Sequence, residues 1–91
     1  MIFVTTYRVK PFLPKNEFRE LMTVFASVGP PAGTQAHYVA ADGGGGVVIS
    51  ESADALEGFR NILNYTPWVE YETKPMLSID EAVPAIAEAL A

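Results

Sequence analysis

At 91 residues, with 49% hydrophobic and 19% charged side chains, this chain has the size and composition of one folded domain spanning residues 1–91. Its net charge of −5 argues against nucleic acid, whose phosphates would repel it, and its lack of cysteine excludes disulfides and thiolate metal sites. No basic segment leads into an apolar one, and no apolar run is long enough to span a bilayer, so a cytoplasmic protein without a membrane partner is expected.

The first element is a strand. Ile2 to Val9 reads IFVTTYRV, a run of β-branched and aromatic residues without a turn former, and Lys10-Pro11 ends it. Pro14 suits a first helical turn. Phe18, Leu21, Met22, Phe25 and Val28 then recur at three and four, which predicts a helix over 14–29 capped by Gly29 and stopped by Pro30-Pro31. Thr34 to Ala41 predicts a second strand and Val47 to Ser50 a third. Asp42-Gly43 between them reads as a type I′ hairpin turn, extended by Gly44 to Gly46. Ser52 is the expected cap of a second helix over 53–64, with Asp54 at its positive end and Leu56, Phe59, Ile62 and Leu63 as its apolar face. Asn64 to Pro67 reads as a break and Trp68 to Met76 as a fourth strand. Ser78 and Glu81 form a capping-box pattern for a terminal helix whose face is Ile79, Val83, Ile86 and Leu90. Pro84 should bend that helix or restart it.

This order is βαββαβ plus a C-terminal helix. It predicts an α+β, ferredoxin-like fold: an antiparallel four-stranded sheet in the order 4-1-3-2, with both long helices on one face. The strands carry apolar residues on both parities: Phe3, Tyr7 and Val9 against Ile2 and Val4, Val47 and Ile49 against Val48. A one-sided antiparallel sheet alternates more cleanly, so the second face needs a cover, and a homodimer packed sheet against sheet supplies it.

Three stretches carry a resemblance: the opening MIFVTTYRVKP, the segment GGGVVISE (Gly44 to Glu51) leading into Ala-Asp-Ala, and VEYETKPML (Val69 to Leu77). With these the chain resembles the dimeric α/β-barrel superfamily, and within it an uncharacterised family of small bacterial barrel proteins. The superfamily includes antibiotic-biosynthesis monooxygenases, muconolactone isomerase-like enzymes, chlorite dismutase-like haem proteins and stress-responsive barrels. The resemblance implies a dimeric α/β barrel with helices outside, and an acidic residue at the position of Glu51.

The candidate chemistry is sparse. His37 is the only histidine, suited to a general base because histidine changes charge near neutral pH. The haem-binding relatives would make it an iron ligand, and an exposed or interface position is the plainer alternative. Tyr7 is a second candidate proton-transfer group, and Glu51, ending a central strand, is either a third or a helix cap. Tyr7, Tyr38, Trp68 and Tyr71 would suit a planar apolar ligand, with Tyr38, Trp68 and Tyr71 as its binding residues, or simply fill the core. Glu70 and Glu72 could share a proton, but Lys74 on the same parity fits a charged edge strand. Gly43 to Gly46 joins two strands without the Lys-Ser/Thr of a nucleotide loop, so it reads as a hairpin tip. No metal site and no cofactor signature stand out.

Three functions fit: a homodimeric module binding an apolar small molecule in a sheet–helix or interface cleft; a cofactor-free enzyme of monooxygenase, isomerase or cyclase type; or a structural dimer. A deep cavity holding His37 and two aromatics would favour the enzyme, and a filled sheet–helix core the structural dimer.

Overall fold

The computed structural model describes all of residues 1–91. In chain order it contains strand β1 (Ile2–Val9), helix α1 (Lys15–Val28), strands β2 (Thr34–Val39) and β3 (Gly45–Glu51), helix α2 (Leu56–Ile62), strand β4 (Val69–Met76) and helix α3 (Ile79–Leu90). The strands form one antiparallel sheet in the order β2-β3-β1-β4, the expected arrangement read from the other edge.

Helix α1 ends as its sequence predicts. Gly29 adopts a positive φ of 72° and its N–H donates to the Phe25 carbonyl at 2.8 Å. Two local details differ from expectation. The β2–β3 hairpin is not a type I′ turn, because Gly43 (φ 76°) takes a positive φ and Asp42 does not. Instead the Asp42 carboxylate accepts from the Gly44 N–H at 2.8 Å, and the Ala40 carbonyl accepts from Gly43. Ser52 does not cap α2. That helix starts later, after Ala55, and the Asp54 carboxylate accepts from the Leu56 N–H at 2.9 Å.

Register fixes the two faces of the sheet, because residues paired across strands point the same way. Phe3, Thr5, Tyr7 and Val9 share one face with Ser50, Val48 and Gly46 of β3 and with Pro75, Thr73, Tyr71 and Val69 of β4. Helices α1 and α2 lie over this face. Leu21 of α1 is buried with Tyr65 and Val69, and Tyr7, Leu13, Val24, Phe25, Trp68 and Tyr71 pack around them. On the opposite face Ile2, Val4, Val47 and Ile49 are half-buried, and Tyr38 is 65% exposed.

Helix α3 begins with the predicted capping box. The Ser78 hydroxyl accepts from the Glu81 N–H at 3.1 Å, and the Glu81 carboxylate accepts from the Ser78 N–H at 3.3 Å. The helix runs unbroken through Pro84. It buries nothing on its own chain: Ile79, Val83, Ile86 and Leu90 are all more than half exposed.

Candidate functional site

Between the sheet and the two covering helices lies a cleft of about 750 Å³, open to solvent. Phe3, Val48 and Ser50 form its buried floor. Phe18, Met22 and Phe59, from α1 and α2, line it and stay 42–55% exposed, so its rim is apolar. No lysine, arginine or glutamate lines the cleft, and Asp54 is its one carboxylate.

The polar groups inside are hydroxyls and one imidazole. Tyr7 Oη and His37 Nε2 lie 2.6 Å apart, a short hydrogen bond in which the tyrosine donates when the imidazole proton sits on Nδ1. Phe25 and His37 meet in an edge-to-face arrangement, with centroids 5.9 Å apart and planes at 66°. Tyr71 lies beside Tyr7, centroids 5.9 Å apart, and the Thr5 and Thr73 hydroxyls pair at 2.9 Å across β1 and β4. Burial pushes the Tyr7 phenol above its ordinary range. Burial, then the neighbouring Tyr65 and Tyr7, push Tyr71 further. Both phenols are therefore neutral hydrogen-bonding groups near neutral pH, and in the pair His37 is the group able to take a proton.

A β-bulge aims His37 into the cleft. Thr34 pairs with Ser50, and the register then shifts, so that Ala36 meets Ile49 and His37 meets Val48. An unbroken strand would keep even-numbered residues on the face of Thr34 and turn His37 away; the bulge reverses the parity. Tyr38 consequently points to the opposite face, across from Val47.

The cleft thus brings together Tyr7, His37 and Tyr71 of the expected site residues. Trp68 packs beside the Leu21–Tyr65–Val69 cluster and does not line the cleft. Glu51 is exposed and accepts from the Gln35 amide at 3.0 Å. Glu72 pairs with Lys74 at 3.0 Å on the exposed edge strand, both side chains 66% exposed, the arrangement of a charged sheet edge. Sequence reasoning missed Tyr65, which fell in a stretch read as a break. It is 4% exposed, lines the cleft, and donates its hydroxyl to the Gly29 carbonyl at 2.6 Å. An aromatic residue inside an otherwise polar turn was the available signal.

The fold and the cleft define a small α+β protein with a hollow, mostly apolar interior. Over residues 1–90 the sequence matches the family described as a domain of unknown function, DUF3303, and the chain belongs to that family. None of the curated proteins matches it.

Proposed function

We propose that this chain binds a neutral, largely apolar small molecule in the cleft between its sheet and helices α1 and α2, as one half of a homodimer paired through the open sheet face. The cleft carries the reading: about 750 Å³, lined by 18 hydrophobic residues, is the size and character of small-molecule sites. No lysine or arginine lines it, so its apolar walls favour a neutral ligand. The Tyr7–His37 and Thr5–Thr73 pairs supply a few hydrogen-bonding positions for orientation. The setting proposed is the cytoplasm.

The test is a panel of planar, uncharged aromatic compounds, read by thermal stabilisation and then by calorimetry. Gly58 lines the cleft, and a Cβ there meets nothing within 4 Å, so Gly58→Trp directs an indole from this position without a clash at Cβ, and circular dichroism checks that the variant is folded. A compound that stabilises the native chain and loses its affinity for folded Gly58→Trp supports the reading. Affinity unaffected by the substitution would sink it.

A second reading, a cofactor-free proton-transfer enzyme, has one observation in its favour: His37 lies inside the cleft with Tyr7 and Tyr71. A base hydrogen-bonded to a tyrosine in an apolar site is suited to moving a proton on a bound substrate. If a bound compound is chemically converted, His37→Gln should retain its binding and lose the conversion. A purely structural dimer is the weakest reading, because only seven of 91 residues are buried and the sheet–helix layer is not filled.

A further inference from the structure

We propose that α3 is an exchanged arm: its apolar face, Ile79, Val83, Ile86 and Leu90, seats on the body of a second copy of this chain. The proposal rests on the pairing proposed above and adds a specific contact to it. Within its own chain the helix has no seat. Ala82 alone is half-buried, no α3 residue lines the cleft, and Leu90 is 81% exposed. A 12-residue helix is marginal by itself in water, even with its capping box, so its formation calls for cover.

The dimensions and surface point to a protomer shaped by a partner. The molecule extends 57 × 25 × 18 Å with a radius of gyration of 15.9 Å. A compact chain of this length has a radius of about 12 Å. A compact monomer of this mass exposes about 5,200 Å². This chain exposes 6618 Å². The excess of roughly 1,400 Å² exceeds the ~800 Å² that each partner buries in a standard interface.

The charge pattern narrows the occupant. Asp80, Glu81 and Glu88 flank the apolar face of α3, and the helix has no lysine or arginine. That sign is wrong for an anionic lipid surface and for nucleic acid. Helices α1 and α2 carry Lys15, Arg19 and Arg60, none with an ion-pair partner within its own chain, interleaved with Glu17, Glu20 and Glu57, so the match of α3 to a second copy rests on apolar area rather than on charge. A second copy presents the apolar surface, with Phe18, Met22 and Phe59 exposed on its α1 and α2.

The absence of cysteine makes the test direct. Ala87→Cys, next to the apolar face, takes a benzophenone label. Labelled chains of light and heavy nitrogen isotope are mixed, allowed to exchange and irradiated. Adducts from position 87 to the body of a chain of the other isotope are expected. In parallel, Val83→Glu should raise the dimer dissociation constant by about tenfold or more in sedimentation, with the sheet retained by circular dichroism. Mixed-isotope dimers whose adducts all lie within a single chain would place the arm on its own body and overturn the exchange, leaving the sheet pairing intact. A monomer at micromolar concentration would overturn both.

Discussion

Gly46 and Tyr7 face each other across strands β1 and β3, and the tyrosine ring occupies the space that a side chain at Gly46 would need. A Cβ there would stand 2.7 Å from Tyr7 Cζ, against the hydroxyl that meets His37, and would also collide with the Tyr38 carbonyl. The glycine run after the hairpin therefore does more than turn the chain: at this position it makes room for the Tyr7–His37 pair. Gly46→Ala should destabilise the fold by about 1–3 kcal/mol, the usual cost of overpacking. It should also shift the His37 ring resonances, while Gly58→Ala, in open space, leaves them in place. Urea unfolding and imidazole NMR check both parts.

The Tyr7–His37 hydrogen bond is expected to couple its two residues energetically. Tyr7→Phe and His37→Phe should each cost on the order of 0.5–1.5 kcal/mol, and the double substitution less than the sum. Additive losses in denaturant unfolding would mean that the 2.6 Å contact contributes nothing of its own.

Tyr65 ties the turn before β4 to the end of α1. Its hydroxyl and the Asn61 side-chain amide both donate to the Gly29 carbonyl, at 2.6 and 3.1 Å. Tyr65→Phe leaves that carbonyl with one donor and should cost about 1 kcal/mol or less. Tyr65→Ala empties a buried aromatic site and should cost about 3–5 kcal/mol. Near-equal losses for the two would show that the ring packs loosely.

The parts of this fold legible in the sequence are those set by local chemistry. The apolar spacing of α1, its Gly29 cap and the Ser78–Glu81 capping box all lie within a turn or two of the residues they control. The start of α2 is less legible, because Ser52 suits a cap by residue type while the turn at residues 52–55 delays the helix to Leu56. The cleft was less legible still. Tyr7, Tyr38, Trp68 and Tyr71 look alike as aromatics near strands, and only register separates them. The bulge between Thr34 and Ala36 sends His37 to one face and Tyr38 to the other, and it arises from pairing with β3 rather than from any residue of β2 alone. The open stance of α3 was equally hidden, since its apolar spacing is the same whether the cover comes from its own chain or from another.

Tyr71 sets an expectation at alkaline pH. Its phenol is held neutral in the folded chain by burial, reinforced by Tyr65 and Tyr7, whereas an unfolded tyrosine ionises near its ordinary value of about 10. Below that pH both states carry the proton and the contribution is fully present. As pH rises past about 10 the unfolded chain releases its proton while the native chain keeps it, so stability falls with pH. The loss continues until pH reaches the raised native value. Tyr7 and Tyr65 are shifted in the same direction and add to the slope. Tyr71→Phe makes unfolding lose its largest coupled proton. The variant should match the parent near pH 8 and decline more shallowly between pH 10 and 11 in urea titrations. Parallel declines would show that Tyr71 ionises as freely in the fold as outside it, and that the cleft wall around it is wetter than its packing indicates.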